Sequence, residues 1–336
     1  VCVCVCVVWW CGVSWWCSTH AGETMAGGGA PGGAEDAGLG VVWAFGAGDE
    51  RRPYALRSIR YELLKNGLAV CTYAQPEKLN PMRQNTIWEM FVLLEHMTRD
   101  DAVHAALWTG EGRAFCAGAD WAEPRPHVVH LPEDLREAHL ARQRAPTQTD
   151  IACKSLSLAF HDFPKPSVVA VNGMAIGGGA NMALLYHDLV VCSTAAKFKL
   201  PFSDLAITPE LTSSKRLAAA LGPAKAKEIL LFGDWFGPEE VRPLVNAIVP
   251  PAELMSKALD LGGRLASHPN QQALRASKAL MHTRERAALE AILDEENETI
   301  LKALMSDDFR RTLKVARARS KTGGGKGGAR GERAKL

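Results

Sequence analysis

The chain carries almost no net charge: 39 Lys and Arg face 37 Asp and Glu, a formal +2 over 336 residues. That balance argues against a nucleic-acid-binding surface as its main business. Long apolar runs are missing too. No stretch of 18 or more apolar residues occurs, so no conventional membrane span is expected. Metal-ligand spacing is also absent. Outside the first 24 residues, Cys71, Cys116, Cys153 and Cys192 stand scattered, and His161 and His187 have no ligand-type partner four residues on, so no metal is expected. What is present is ordinary: 47% apolar and 23% charged residues, enough for a large core and one or two domains.

Residues 1–24 hold five of the nine cysteines and four of the nine tryptophans, and they open in strict Val-Cys alternation. A GT dinucleotide repeat read as codons would give that alternation, and a signal peptide would need a positive n-region that is not there. The expectation is translated upstream sequence, with Met25 as the start. Residues 25–52 read as a Gly- and Ala-rich flexible leader, whose part from Val41 to Phe45 has strand character.

From Tyr54 the patterning tightens. Leu68 to Tyr73 reads as a strand after the Asn66-Gly67 turn signal. Ile87, Met90, Phe91, Leu94 and Met97 share one helical face. Ala105–Thr109, Val168–Val171 and Leu189–Cys192 read as buried strands, and residues 121–150 as a Pro- and His-rich loop or lid before a helix near Ile151 to Phe163. Leu289, Ile292, Leu293, Ile300 and Leu304 form one stripe in a helical C-terminal third, and the chain beyond Ser320 is too polar and Gly-rich to pack. Alternating strands and helices make the class α/β.

Two glycine-containing loops, Phe115–Asp120 and Gly173–Ala180, each follow a buried strand. Glycine at a strand-to-helix turn exposes backbone N–H groups, and the helix start adds positive potential. Two such donors converging on one oxygen would make an oxyanion hole. Either loop alone is equally well a structural turn, and the second does not match the dinucleotide pattern G-x-G-x-x-G.

Taken together, GRAFCAGAD, AVNGMAIGGGANMALLYHDLVV and the earlier PEKLNPM resemble the crotonase (enoyl-CoA hydratase/isomerase) superfamily from about Tyr54 to Ser320. The resemblance implies a spiral of ββα units over 53–255, a helical trimerisation region over 256–320, a homotrimer or hexamer, and an acyl-CoA thioester as substrate, with no other cofactor. By position, it implies that the N–H groups of Ala119 and Gly178 form the oxyanion hole. Lys78, Leu79 and Ala117 would lie near the adenosine part of CoA, with Gly118, Asp120, Gly177, Asn181 and Phe202 also lining the substrate site.

Two departures bear on the reaction. Hydratases of the superfamily carry two glutamates where this chain has Asn181 and Phe202. Water addition needs two acid/base groups, so both losses count against a hydratase. What remains is Glu210 in LAITPELTSSKRL, a segment that resembles the catalytic-base region of peroxisomal Δ3,Δ2-enoyl-CoA isomerases, although Leu211 stands where a Gly is usual. A structural reading of Glu210 competes: Thr208-Pro209-Glu210 has the pattern of a helix start. Asp120 reads best as a loop acid fixing the first oxyanion loop, Asp204 as a solvated acid near the site, and Asn181 as either a substrate contact or a loop cap. Rival functions are a dienoyl-CoA isomerase, an enoyl-CoA hydratase, or a non-catalytic acyl-CoA-binding scaffold.

The tripeptide Ala334-Lys335-Leu336 resembles the Ser-Lys-Leu address, implying a peroxisomal import receptor as partner and the peroxisome as location, with residues 321–336 as its flexible presenting tail. A fluorescent protein ending in residues 321–336 should therefore collect in peroxisomes. A diffuse cytosolic signal would remove the assignment.

Overall fold

The buried strands differ in kind from the strands of a half-solvated sheet, since Ala105–Gly110 and Ser167–Val171 are apolar at nearly every position. Side chains alternate faces along a strand, so such a run needs cover on both sides. The computed structural model, which describes residues 39–45, 51–120 and 152–322, supplies it. Leu107, Val168, Ala170 and Val191 pack on one face against Leu254, Ala258 and Ala266. Ala106, Trp108, Val169 and Val171 join the larger core on the other.

The strands in chain order are β1 (Val41–Phe45), β2 (Arg51–Ala55), β3 (Ile59–Leu63), β4 (Leu68–Tyr73), β5 (Ala105–Gly110), β6 (Ala114–Cys116), β7 (Ser167–Val171), β8 (Met174–Ile176), β9 (Leu189–Ser193), β10 (Lys197–Lys199), β11 (Trp235–Phe236) and β12 (Ala247–Val249). The helices are α1 (Gln84–Arg99), α2 (Ala152–Asp162), α3 (Gly178–Leu185), α4 (Ser213–Leu221), α5 (Pro223–Phe232), α6 (Leu254–Ala266), α7 (Gln271–His282), α8 (Arg286–Leu304) and α9 (Asp307–Thr322). A six-stranded sheet has the order β12-β9-β7-β5-β4-β3, a four-stranded sheet the order β11-β10-β8-β6, and β1 pairs with β2 in a two-stranded sheet among the described residues. β5, β7 and β9 enter the large sheet, and β6, β8 and β10, which directly follow them, enter the small one. A helix then returns the chain for the next turn. This repetition is the ββα spiral that the resemblance implies.

The strand expected over Val41–Phe45 forms as β1, β2 already begins at Arg51 inside the segment read as leader, and the last helix runs to Thr322, two residues past the expected end of packing. The N-terminal Val-Cys segment, the 121–150 loop and the C-terminal tripeptide lie outside the described residues. No helix among the described residues is long and apolar enough to cross a membrane.

Two buried charges fix the chain around α1. Glu89 is fully buried and accepts hydrogen bonds from the backbone N–H groups of Arg57 (2.8 Å), Ser58 (2.9 Å) and Ile59 (2.9 Å). These are the residues that lead the chain into β3. Lys165, 1% exposed, donates to the carbonyls of Met97 and Asp100 at the C-terminal end of α1, where the helix dipole favours a cation. Glu89→Ala would leave three backbone donors without their acceptor. Each buried loss costs about 1–3 kcal/mol, so denaturant unfolding of this variant should show a stability loss of about 3 kcal/mol or more. A loss below about 1 kcal/mol would contradict that role.

Candidate active site

The two glycine loops meet because β6 and β8 are parallel neighbours, with Ala114 opposite Met174 and Cys116 opposite Ala175. Parallel pairing delivers both strand ends at the same edge of the small sheet. Just beyond those ends lie Ala117–Asp120 and Gly177–Gly179. Gly118 has φ +76°, and a Cβ there would stand 2.5 Å from the Ile176 carbonyl oxygen and 3.8 Å from the Gly178 nitrogen. Only glycine permits that approach. Gly177 (φ +53°) caps α3, so Gly178 is its first residue, and its N–H has no acceptor within the helix. Ala119 follows Gly118, is half-buried, and forms an isolated parallel bridge with Met82.

The first loop is tied down by the PEKLNPM segment. Ala117 N–H donates to the Leu79 carbonyl (3.0 Å), and Met82 N–H donates to the Gly118 carbonyl (2.8 Å). Leu79 and Asn80 both take left-handed backbone conformations (φ +64° and +53°). Asn80, 2% exposed, accepts from Gln75 N–H and donates to the carbonyls of Glu111 and Ala114. Lys78 is exposed beside them, free of the core. Asp120 pairs with Arg83 (2.6 Å), and its N–H points to the Met82 carbonyl at 3.4 Å. That ion pair ties the first glycine loop to the residue that precedes α1. Cys116 adjoins this loop, but burial drives its thiol pKa up to about 12, so it is no nucleophile at neutral pH.

Glu210 comes to the same place. A Cβ on Gly178 would stand 3.3 Å from Glu210 Oε1, 3.2 Å from Leu211 Cδ1 and 3.2 Å from Met82 Sδ. A carboxylate, a helix-start N–H and an apolar wall thus share one spot. The helix-start alternative for Thr208-Pro209-Glu210 fails: α4 begins at Ser213, with Thr212 at its N-cap. Glu210 lies in the turn before it. Its carbonyl accepts from Asn181 Nδ2 (2.9 Å), Ser213 Oγ (2.7 Å) and Ser213 N–H (3.1 Å). Leu211 follows with φ +54° and Thr212 with φ +63°. Leu211 therefore adopts the left-handed conformation in which glycine is the least strained residue.

Asn181 is 1% exposed and donates its amide N–H to the Glu210 carbonyl, tying α3 to the segment that carries Glu210. Phe202 is 2% exposed and packs in the main core. By the resemblance, this aromatic ring stands at the position of a hydratase's second acid. Asp204 forms an ion pair with Lys199 at 3.3 Å. His187 lies against Trp108 and Phe160, and His161 stacks on His282 at 4.6 Å. No group of three or more His, Cys, Asp or Glu capable of holding a metal occurs among the described residues.

Sequence reasoning missed three supporting residues. Met82 and Asn80 lie inside the quoted PEKLNPM motif, so the signal was in view. Glu296, far along the chain, gave no local sign. Its buried carboxylate accepts from Thr212 N–H (2.7 Å) and Ser214 N–H (3.0 Å), directly after Glu210.

Comparison with known proteins agrees with this geometry. The enoyl-CoA hydratase/isomerase family model matches residues 64–319. A probable enoyl-CoA hydratase of Rhodobacter capsulatus is 33% identical over 183 residues, 54% of this chain and 64% of that protein. Enoyl-CoA delta isomerase 2 of Rattus norvegicus is 28% identical over 246 residues, 73% of this chain and 59% of that protein. A crystal structure of an enoyl-CoA hydratase/isomerase from Pseudoalteromonas atlantica superposes with a TM-score of 0.66 at 26% identity, covering 78% of this chain and 98% of the other. The spiral, the paired glycine loops and these matches lead to one conclusion: the chain is an enzyme of the enoyl-CoA hydratase/isomerase family, within the crotonase superfamily.

Proposed function

We propose that this enzyme is a Δ3,Δ2-enoyl-CoA isomerase, moving a double bond from C3 to C2 of an acyl-CoA thioester. The observation that carries the reading is the Glu210 carboxylate 3.3 Å from the Cβ position of Gly178, with no second acid at Asn181 or Phe202. In this reading the thioester carbonyl oxygen accepts from the N–H groups of Ala119 and Gly178. Glu210 removes a proton from C2, and the C2–H electron pair moves into a C1–C2 double bond as negative charge passes to the oxygen. The resulting dienolate is stabilised by the two donors and by the N-terminal end of α3. The proton on Glu210 then returns at C4. The C1–C2 electrons shift to form the C2–C3 double bond as those of C3–C4 take up that proton, which regenerates the thioester and the carboxylate. One group acts as base and then as acid, so a single carboxylate suffices.

The loss of both hydratase acids favours this reading over hydration, which must deliver hydroxide and a proton to different carbons. Lys78, exposed at the mouth of the loop that holds Ala117, is suited to the phosphates of CoA. No metal or redox group enters the proposed chemistry. A homotrimer and a peroxisomal location are part of the same proposal, the latter resting on the Ala334-Lys335-Leu336 tail.

The test uses purified protein and a 3-enoyl-CoA, followed by the ultraviolet absorbance of the conjugated 2-enoyl thioester. Wild type should turn over, and Glu210→Gln should lose about 10²–10⁴-fold in kcat while CoA affinity persists. Equal rates would move the base elsewhere. Tight CoA binding without turnover in wild type would favour a binding scaffold. Lys78→Ala should instead raise KM with kcat nearly unchanged, since its contact is the same in ground and transition states. A fall in kcat alone would contradict the phosphate role.

A further inference from the structure

The turn that carries Glu210 is held from a distance. Leu211 and Thr212 are consecutive non-glycine residues with left-handed backbones, φ +54° and +63°. Each such residue costs energy relative to an ordinary conformation, and the cost is greater for a β-branched side chain such as that of Thr212. Strain of this kind persists only where surrounding structure over-determines it. Thr212 is the N-cap of α4, yet its own side chain does not cap the helix. The hydroxyl instead donates to the Leu211 carbonyl (2.6 Å) and lies 3.0 Å from the Tyr186 hydroxyl. The capping acceptor comes from α8. Glu296, 6% exposed, places Oε2 on Thr212 N–H at 2.7 Å and Oε1 on Ser214 N–H at 3.0 Å.

From this geometry we infer that Glu296 is a positioning residue for the isomerisation: it locks the left-handed Leu211-Thr212 turn and thereby aims Glu210 at the oxyanion site. The inference rests on the isomerase reading, with Glu210 as base. Glu296 holds Thr212 within the turn and Ser214 after it, while Asn181 and Ser213 hold the Glu210 carbonyl before it. With the carboxylate gone, the buried Thr212 N–H and the half-buried Ser214 N–H lose their charged acceptor, and the turn is free to relax to a right-handed form. The Glu210 side chain would then swing away from Gly178. A misplacement of about 1 Å at a reacting group can cost about 10²-fold.

The test uses the full chain. Glu296→Gln is isosteric, but its amide NH₂ confronts one of the two backbone donors. We expect kcat for 3-enoyl-CoA to fall about 10–100-fold, with KM changed less than about threefold. In Glu210→Gln, adding Glu296→Gln should cause no further loss, because the second residue acts through the first. Hydrogen exchange across residues 210–216 should be faster in Glu296→Gln than in wild type. Glu298→Gln, an exposed neighbour paired with Lys302, should leave kcat unchanged. An unchanged kcat in a folded Glu296→Gln protein, or a full additional loss in the double variant, would overturn the inference while leaving the isomerase reading intact. An inactive wild type would instead overturn the isomerase reading itself.

Discussion

The parallel pairing of β6 with β8 is the constraint on which the site depends. Each strand is only three residues long, so neither would persist without the spiral that carries it. Their shared direction puts two glycine loops at one sheet edge. Gly118 then lets the backbone pass within contact of Ile176, and the start of α3 presents an N–H without an intrahelical partner. A side chain at Gly118 would collide with the backbone and spread the loops. The donors are therefore positioned by strand register and glycine packing, before any substrate arrives, which is the condition for effective charge stabilisation.

Against that fixed edge, Glu210, the proposed acid/base group, stands beside a turn held by hydrogen bonds from three elements. α3 contributes Asn181, α4 contributes Ser213, and α8 contributes Glu296. Asn181 and Phe202, where the resemblance would put a hydratase's two acids, serve the packing: Asn181 donates a hydrogen bond to the Glu210 carbonyl, and Phe202 adds a buried ring to the core.

Much of this was legible in the sequence because local patterns encode it. The runs Leu68–Tyr73, Ala105–Thr109, Val168–Val171 and Leu189–Cys192 are strands as read, and the Ile87 to Met97 stripe is a helix. The glycine loops were visible for the same reason: glycine at a strand end marks a close approach. Local reasoning misjudged Glu210 as a possible helix start, since Thr-Pro-Glu satisfies capping preferences equally well in a turn. The start of α4 is set instead by a carboxylate 84 positions away from Thr212. Such a long-range cap leaves no spacing signal. The burial of Asn181 and Phe202 was likewise hidden, because it depends on which elements close over them.

The central claim is that this site has one proton-transfer group and no means of activating water. The most direct measurement is product analysis by chromatography after parallel incubations with a 3-enoyl-CoA and a trans-2-enoyl-CoA. The account predicts interconversion of the two enoyl isomers, with 3-hydroxyacyl-CoA formed at least about 10²-fold more slowly, the lower end of what a missing acid/base group costs. Accumulation of 3-hydroxyacyl-CoA at a rate comparable with isomerisation would contradict it, and would require a second acid/base group in the site.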